Sequence, residues 1–321
     1  DADTDNVYNI TVTITDGTNT STQAIAITVV NVNEQPVITS SATFNQDENT
    51  AITSAAADVT PTDPDGAGSF THSIVGGADE DEFTINSATG QIFFKSLRNF
   101  ELPGSAANSN AYVIDVQVTD NTTAANGVLS SAVQTVTITV NDINDAPTFT
   151  SGTSLFIAEG ATSVDNVVAI DADGNTIAYS IDSTGREDHA LFTINSSTGA
   201  LTMTARDFEN PTDDHGTDDD NVYGVTVKAT DNGTPARTAT HDISVTVVNV
   251  NDNSPALTVN TPYSVAEGTT AVGTVTTTDG DAGTTTLTYS LTGTDKDDFT
   301  ITKTGEAQNG VIAFSSAPDF E

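Results

Sequence analysis

A short segment that occurs three times constrains the fold more than any other feature of this sequence. It reads VNVNEQP up to Pro36, VNDINDAP up to Pro147 and VNVNDNSP up to Pro255. The three prolines lie 111 and 108 residues apart, which is too long for one coil of a solenoid and is the size of a whole domain. The chain is therefore predicted to be a series of similar domains joined by short linkers.

Each linker follows a segment in which apolar and polar residues alternate: TQAIAITVV, AVQTVTITV and HDISVTVV. Alternation of this kind predicts a β-strand, and the Asp, Asn and Pro residues after it predict the end of that strand. Within the first full period, strands are expected near residues 37–45, 51–57, 70–75, 82–85, 91–95, 111–119 and 132–140. Seven short strands at this spacing indicate an all-β fold, an immunoglobulin-like Greek-key β-sandwich.

The linkers divide the chain into four predicted parts. Residues 1–35 are the last two strands and the linker of one repeat, 36–146 and 147–254 are complete repeats, and 255–321 is a repeat without its final two strands. Two explanations remain open: the segment is cut from a longer tandem array, or residues 1–30 of one copy complete 255–321 of another by strand donation. We favour the array because tandem repeats are common and strand donation is rare.

Acidic positions recur in the same order in every repeat. They are a glutamate soon after the linker, two aspartates separated by one residue, a triplet of Asp or Asn followed by Phe and Glu, and an aspartate after the penultimate strand. These are Glu48, Glu159 and Glu267; Asp63 with Asp65, Asp171 with Asp173 and Asp279 with Asp281; the triplets Asn99 to Glu101, Asp207 to Glu209 and Asp319 to Glu321; and Asp16, Asp120 and Asp231.

These positions and the linker together resemble the calcium-binding pattern of cadherin repeats, and the resemblance runs along the whole chain. The segments FTINSATGQI (83–92) and FTINSSTGAL (192–201) also resemble the hairpin in the middle of a cadherin domain. The resemblance implies an elongated series of cadherin-like sandwiches, Ca²⁺ as the cofactor, an extracellular or cell-surface location, and a structural or adhesive role.

The composition agrees with a cationic partner. The chain has 8 Lys and Arg against 45 Asp and Glu, a net charge of −37, which excludes nucleic acid as a partner and disfavours an anionic membrane surface. Cysteine is absent, so disulfides do not stabilise this chain, and bound metal ions are expected to stabilise it instead. Clusters of carboxylate and amide oxygens suit Ca²⁺, which takes about 6 to 8 oxygen ligands, whereas zinc and copper prefer His or Cys.

The resemblance assigns calcium ligands to each junction between repeats. Between 36–146 and 147–254 they are Glu48, Asn99, Glu101, Asp142, Asn144, Asp145, Asp171, Asp173 and Asp231. Between 147–254 and the last repeat they are Glu159, Asp207, Glu209, Asn249, Asn251, Asp252, Asn253, Asp279 and Asp281, with the equivalent of Asp16 as a further partner. Before residue 36 they are Asn33, Glu34, Asp63, Asp65 and Asp120, to which Glu267, Asp319 and Glu321 of another copy could be added.

Bound calcium is expected to turn each linker from flexible to rigid, because the clustered carboxylates repel one another when no cation is present. The sequence departs from the cadherin pattern where Asn replaces Asp, at Asn31, Asn99 and Asn249, which keeps an oxygen ligand and loses a charge. Affinity is expected to fall, or one ion to be missing, at those positions. The first linker is the most altered, with Glu34 for Asp and Gln35 for Asn.

The expected function is a calcium-rigidified segment of a surface adhesin stalk or filament, of bacterial type by its acidic, cysteine-free composition, whose repeats contact neighbouring repeats or further copies. The alternative is a carbohydrate-binding module of a secreted protein that recognises surface glycans. That alternative requires an exposed aromatic platform, for which Tyr8, Tyr112, Tyr223 and Tyr263 are the candidates.

Enzymatic activity and direct membrane insertion are not expected. The sequence has no phosphate-binding Gly-rich loop, no apolar segment of about 20 residues, and four histidines without a common spacing. One acidic loop is unique to the repeat 147–254 and carries Asp213, Asp214, Asp218, Asp219 and Asp220. We expect it to be solvated and mobile, with an accessory cation site as the alternative.

Overall fold

The computed structural model describes residues 5–66, 68–121, 127–217, 219–259, 261–281, 286–304 and 309–321. The chain divides into two compact units, Asp1–Ile143 and Asn144–Glu321. Strands dominate the described residues of both units, and the short helices are single 3₁₀ turns such as Glu80–Glu82 and Glu187–Leu191. The predicted all-β class is confirmed.

The first unit contains a hairpin followed by a sandwich. Its strands are β1 (Val7–Thr15), β2 (Thr20–Thr28), β3 (Val37–Ile38), β4 (Thr43–Asp47), β5 (Ala57–Asp58), β6 (Pro61–Thr62), β7 (Phe70–Gly76), β8 (Phe83–Ile85), β9 (Gln91–Phe94), β10 (Ala111–Asp120) and β11 (Gln134–Asn141). Strands β1 and β2 pair with each other. The sandwich consists of a sheet in the order β4-β11-β10-β7, a sheet in the order β5-β9-β8, and the small pair β3-β6.

The second unit contains a second sandwich followed by a further sheet. Its strands are β12 (Thr148–Phe149), β13 (Ser154–Ala158), β14 (Ser163–Asn166), β15 (Ala169–Ile170), β16 (Ala178–Ile181), β17 (Phe192–Ile194), β18 (Ala200–Met203), β19 (Val222–Thr230), β20 (Thr238–Val248), β21 (Ala256–Thr258), β22 (Ala271–Thr278), β23 (Phe299–Thr304) and β24 (Asn309–Phe314). The sheets β13-β20-β19-β16 and β14-β18-β17 form the second sandwich. Strands β21 to β24 form a further sheet in the order β21-β22-β24-β23.

Alternation along the penultimate strand builds each core. Every second residue of β10 is buried, including Tyr112, Ile114 and Val116, and these side chains pack with Phe83 and Ile92 of the other sheet. Burial of one such aliphatic side chain stabilises a fold by about 1.5 to 3 kcal/mol. A matching cluster around Tyr223, Val225 and Ile243 forms the core of the second sandwich. Because the sequence has few aromatic residues, Val and Ile make up much of this core.

Two of the expected strands are wrong in extent. The predicted strand 37–45 is two strands, because β3 pairs antiparallel with β6 whereas β4 pairs parallel with β11, so the chain changes sheets between them. The predicted strand 51–57 is mostly a turn, closed by a hydrogen bond from the Ser54 amide to the Ala51 carbonyl, and only Ala57 and Asp58 pair with β9.

The repeated FTIN segment ends in a tight turn, which explains why its Asn and the Gly that follows recur. The Asn195 side chain accepts hydrogen bonds from the amides of Ser197 and Thr198, and Gly199 follows with φ of +69°. A Cβ at Gly199 would lie 2.1 Å from the Val167 carbonyl oxygen, so the turn requires glycine. Gly90 is in the same position in the first sandwich, where a Cβ would lie 2.2 Å from the Val59 oxygen.

The hairpin of β1 and β2 leaves one apolar face exposed. Tyr8, Ile10, Val12 and Ile14 alternate along β1 as the buried residues of β10 do, yet they are 46 to 71% exposed. Cross-strand neighbours on the same face include Ile25, which pairs with Ile10. This face has the pattern of a core strand and lacks the cover that β10 has.

Candidate metal centre

In the first sandwich the carboxylate of Glu48 joins two separate segments of backbone. One of its oxygens, Oε2, accepts a hydrogen bond from the Phe100 amide at 2.8 Å, and Oε1 accepts one from the Ile143 amide at 3.0 Å. Phe100 is the middle residue of the triplet and Ile143 lies in the linker. Glu48 is 1% exposed, so this glutamate bridge is part of the folded core of the unit.

The glutamate bridge recurs in the second unit. Glu159 Oε2 accepts a hydrogen bond from the Phe208 amide at 2.9 Å and Oε1 accepts one from the Val250 amide at 2.6 Å. In the last repeat Glu267 Oε2 accepts a hydrogen bond from the Phe320 amide at 3.3 Å. The first recurrent acidic position therefore holds the triplet in all three repeats, and also holds the linker in the two where a linker follows.

The bridge brings three carboxylates of the first unit together. One oxygen from each of Glu48, Glu101 and Asp142 lies within 4.8 Å of the other two. The Asn99 side-chain oxygen accepts a hydrogen bond from the Leu102 amide at 2.7 Å. The sequence-predicted ligands of this half are thus adjacent, with Asn99 acting in the described geometry as a cap of the turn.

Four carboxylates converge in the second unit. Glu159, Glu209, Asp252 and Asp281 each place one oxygen within 4.8 Å of the others. These residues come from four separate segments: the turn after β13, the triplet, the linker and the aspartate pair after β22. The Asn249 side chain donates a hydrogen bond to Glu209 Oε1 at 2.9 Å, which joins the linker to the triplet a second time.

The aspartate pair of the last repeat is attached to the linker through backbone amides. The Asn253 amide donates to Asp281 Oδ2 at 2.8 Å, and the Asp281 amide donates to Asp279 Oδ1 at 3.1 Å. Asp207 likewise accepts a hydrogen bond from the Glu209 amide at 3.0 Å. Asn251 lies exposed in the same linker.

The linker residues 144 and 145 hold the acidic positions that follow them within the second unit. Asn144 donates to Asp231 Oδ2 at 3.1 Å and to the Pro235 carbonyl at 3.0 Å. The Asp145 amide donates to Asp173 Oδ2 at 2.6 Å. A Cβ at position 233 would lie 1.7 Å from Asn144 Oδ1, so the close approach of the Asp231 loop to the linker requires Gly233.

Buried carboxylate oxygens remain without partners beside these contacts. Asp171 Oδ2 and Asp173 Oδ1 are buried and accept no hydrogen bond from any part of the chain that the structure describes. Asp171 Oδ1 accepts the Asn175 amide at 3.1 Å, so its carboxylate is fixed with the second oxygen free. A buried carboxylate oxygen without a donor is unfavourable unless a cation contacts it.

The first unit shows the same contacts around its own linker. Asn33 donates to Asp120 Oδ2 at 2.9 Å and to the Gly127 carbonyl at 2.8 Å, and the Glu34 amide donates to Asp65 Oδ2 at 2.7 Å. The Asn31 side chain also donates to Asp65. Asp63 lies beside them: its Oδ1 accepts the Asp65 amide at 2.8 Å, and its buried Oδ2 accepts no hydrogen bond within the described ranges.

The remaining predicted residues lie at exposed positions. Asp16 caps the turn between β1 and β2, where its Oδ1 accepts the Thr18 and Asn19 amides at 2.9 and 2.8 Å, and these hydrogen bonds lower its pKa. Asp319 accepts the Glu321 amide at 3.3 Å. Glu267, Asp319 and Glu321 are exposed.

Burial, like charges and hydrogen bonds shift several pKa values of the second unit. Burial raises the pKa of Glu209 to about 7, assisted by the charges of Glu159 and Asp281. Burial and the same two charges also raise the pKa of Asp252. For Asp231, burial opposes ionisation, but hydrogen bonds from the Arg237 amide and Asn144 outweigh it and lower the pKa.

At the first linker, pKa shifts arise within the pair of Glu34 and Asp65. The hydrogen bond between Glu34 and Asp65 and the charge of Asp65 raise the pKa of Glu34. Hydrogen bonds from the Glu34 amide and the Asn31 side chain lower the pKa of Asp65. The linker that departs most from the cadherin pattern therefore also carries a carboxyl group with a raised pKa.

Two residues that the sequence reasoning missed contact the triplets. The Asn110 side chain donates to the Phe100 carbonyl at 2.9 Å, and Asn221 donates to the Phe208 carbonyl at 2.9 Å. Both precede the buried tyrosine of the penultimate strand in an Asn-x-Tyr motif, which occurs a third time at Asn6. The recurrence of this motif was a signal that the sequence contained.

The expectation of a solvated acidic loop is wrong for Asp213. This side chain is 1% exposed and accepts hydrogen bonds from the amides of Asp220 and Asn221 at 3.2 and 3.0 Å. The loop is also attached to the sandwich by Asp188, which accepts the Asp214 amide at 3.0 Å. Asp214, Asp219 and Asp220 are exposed as expected, and Asp218 lies outside the described residues.

The tyrosines named for a glycan platform are mostly internal. Tyr112 and Tyr223 are 1% and 0% exposed, and Tyr263 is half-buried with its hydroxyl donating to the Thr274 carbonyl. Tyr8 is exposed, on the apolar face of the β1–β2 hairpin.

Comparison with known proteins agrees with this geometry. Residues 154–248 match the family model of the cadherin domain. The chain is 32% identical over 279 residues, 82% of its length, to cadherin EGF LAG seven-pass G-type receptor 2 of Mus musculus. The chain consists of cadherin-like repeats in tandem.

Further cadherins match parts of the chain. Human protocadherin Fat 1 is 34% identical over 195 residues, 58% of this chain. The chain spans 4% of that relative and 9% of the mouse receptor. Among solved structures, the extracellular cadherin domains 1–4 of protocadherin gamma B7 match with a TM-score of 0.53 and 17% identity, over 99% of this chain and 77% of that one, which shows a common fold.

The cadherin repeats place the chain outside the cell or at its surface. Within the described ranges, none of the helices has the length and apolar character needed to cross a bilayer.

Proposed function

We propose that this chain is a calcium-binding, load-bearing segment of an extracellular adhesive protein, a surface stalk or filament. The proposed repeats are 1–35, 36–146, 147–254 and 255–321, with calcium bound where one repeat meets the linker to the next. The observation that carries the proposal is the convergence of Glu159, Glu209, Asp252 and Asp281 within 4.8 Å.

Electrostatics favours a cation at this cluster. Two like charges about 4 Å apart repel by about 4 kcal/mol near a protein surface, so four carboxylates in contact are stable together only with protons or cations among them. Burial, followed by the charges of Glu159 and Asp281, raises the pKa of Glu209, which agrees with a cost of ionising this cluster without a cation. The oxygen-only set of carboxylates, amide side chains and carbonyls fits Ca²⁺, and the residues named above would hold it.

Calcium would join the segments that the cluster contains. The triplet, the linker and the next aspartate pair each contribute a carboxylate, so one ion contacting all three would fix residues 248–255 against both neighbouring repeats. Extracellular modules bind calcium with Kd of about 10⁻⁴ to 10⁻³ M, a range that extracellular fluid or seawater can load. At about 100 times Kd, each ion stabilises the folded state by about 2.7 kcal/mol.

Hydrogen exchange and calorimetry on the full chain test the proposal. Calcium is expected to bind and to slow amide exchange at Val250 and Asn253, and Glu209→Gln with Asp281→Asn is expected to remove both effects. Asp242→Asn, an exposed carboxylate of β20 away from the cluster, is the control and should behave as the unaltered protein. Absence of binding heat together with unchanged exchange would refute calcium binding.

A second copy of the chain is the alternative to a neighbouring repeat as the partner of the β1–β2 hairpin. The exposed face of Tyr8, Ile10, Val12 and Ile14 is suited to cover a sheet such as β21 to β24, either in a neighbouring repeat or in another copy. Sedimentation over a range of concentrations separates the two: donation between copies gives growing polymers that Ile10→Ser shortens, and the tandem-array explanation gives monomers.

A further inference from the structure

The phenylalanine at the centre of each triplet is held by hydrogen bonds to both its backbone amide and its backbone carbonyl. In the first sandwich, the Phe100 amide donates to Glu48 and the Phe100 carbonyl accepts from Asn110. In the second, the Phe208 amide donates to Glu159 and its carbonyl accepts from Asn221. The four distances lie between 2.8 and 2.9 Å, so the geometry is the same in both complete repeats.

The same asparagines also hold the strand that leads into the linker. The Val140 amide donates to the Asn110 carbonyl at 2.8 Å, and the Val247 amide donates to the Asn221 carbonyl at 2.9 Å. Each asparagine therefore joins the triplet to the end of the last strand. We call this contact the asparagine bridge; the glutamate bridge joins the triplet to the linker itself, and the asparagine bridge joins the triplet to the strand from which the linker continues.

In each asparagine, the side-chain NH₂ group makes the hydrogen bond that matters here. Asn110 Oδ1 and Asn221 Oδ1 are buried, and neither accepts a hydrogen bond within the described part of the chain. A buried carbonyl oxygen without a partner is unfavourable, and an aliphatic side chain of the same size would avoid that cost. The hydrogen bond to the triplet carbonyl is the contact that an aliphatic residue would lose.

The two bridges differ in charge. The glutamate bridge places a further negative charge beside the triplet glutamate and the linker aspartate, whereas the asparagine bridge is neutral. Without a cation, repulsion among the carboxylates acts to separate the triplet from the linker. The asparagine bridge opposes that separation without adding charge.

We propose that Asn110 and Asn221 are positioning residues, which hold the triplet and the linker in the calcium-binding geometry before calcium arrives. This rests on the proposed function. Preorganisation of this kind raises affinity because less ordering remains to be done on binding.

The test is calcium titration by calorimetry on the full chain. The variants are Asn110→Leu, which has nearly the same size, and Asn221→Gly, because Asn221 has φ of +65° and glycine tolerates that backbone. The control is Gln117→Met on β10, the strand that follows Asn110, since Gln117 also donates to a main-chain carbonyl, that of Ser131 at 2.9 Å. Glu101→Gln and Glu209→Gln identify which part of the isotherm belongs to each cluster.

We expect each asparagine variant to bind the same number of ions with Kd raised about tenfold for its own cluster. Amide exchange around Phe100 or Phe208 should be faster in the calcium-free variant and return to normal at saturating calcium. Gln117→Met should lose thermal stability without either change.

A Kd within twofold of the unaltered protein, with only a loss of thermal stability, would show that the asparagines are merely structural and overturn the proposal. If instead Glu101→Gln and Glu209→Gln leave the isotherm unchanged, the calcium sites themselves are absent, and the proposed function fails together with this inference.

Discussion

Substitution of Gly233 by alanine should expel Asn144 from its place in the linker. The added Cβ would lie 1.7 Å from Asn144 Oδ1, far inside van der Waals contact, so the asparagine must move. Asn144 makes three hydrogen bonds there: it donates to Asp231 and the Pro235 carbonyl and accepts from Asn175 at 2.7 Å. Since the net value of each is about 0.5 to 1.5 kcal/mol, we expect the free energy of unfolding to fall by about 2 kcal/mol.

Thermal unfolding of the calcium-free chain, followed by circular dichroism, measures this effect. For a unit of about 150 to 250 residues, 2 kcal/mol corresponds to a decrease in Tm of about 4 to 8 °C. Gly152→Ala is the matched control, because a Cβ there meets nothing within 4 Å. It should be neutral or stabilise slightly, by restricting the unfolded chain.

A double-mutant cycle decides whether Asn144 is the cause. If the added Cβ clashes with the Asn144 side chain, Gly233→Ala should hardly change the stability of the Asn144→Ala protein, because that side chain no longer occupies the space. Additive losses from the two substitutions, or a decrease in Tm below about 1 °C for Gly233→Ala alone, would refute the steric argument.

Three further outcomes follow from the structure. The pKa of Glu209 is raised to about 7 in the folded chain, so this group stabilises the fold below its usual pKa and the stabilisation is lost as pH rises through 7; thermal unfolding in chelator at pH 5 and pH 7.5 should show a smaller pH dependence for Glu209→Gln, and equal dependence in the two proteins would contradict it. Asp213→Ala should lower the free energy of unfolding by about 1 to 3 kcal/mol because the amides of Asp220 and Asn221 lose their acceptor, whereas the exposed Asp214→Ala should change it little; denaturant unfolding distinguishes them. Magnesium at the same concentration should slow exchange at Val250 less than calcium does, because a flexible site of many oxygens suits the larger ion, and equal protection would count against calcium selectivity.

The sequence predicted most of the features that depend on the local pattern of residues. Alternation located β10 and β11 and their buried faces, and the recurring acidic positions identified carboxylates that the structure brings together, such as Glu48 with Glu101 and Asp142. The strand predictions succeed because strand periodicity depends on neighbours in sequence. The calcium-ligand assignment came from the resemblance to cadherin repeats and stays a prediction.

Features that depend on tertiary contacts were not predictable in the same way. The division of 37–45 follows from pairing of β3 and β4 with strands in different sheets, about 25 and 95 residues away along the chain. The burial of Asp213 depends on amides that the loop itself presents after folding. Asn110 and Asn221 were overlooked because an amide before a tyrosine has no chemical signature apart from its recurrence.

The parallel pairing of β4 with β11 has a mechanical consequence for a chain that bears tension. The two strands lie side by side over five residue pairs, one near the start of the repeat and the other at its end. A pull on the two termini draws such neighbours in opposite directions along their length. The ladder is then loaded in shear, so its hydrogen bonds must rupture together, whereas the antiparallel β1–β2 hairpin, pulled at its open end, would unzip one bond at a time.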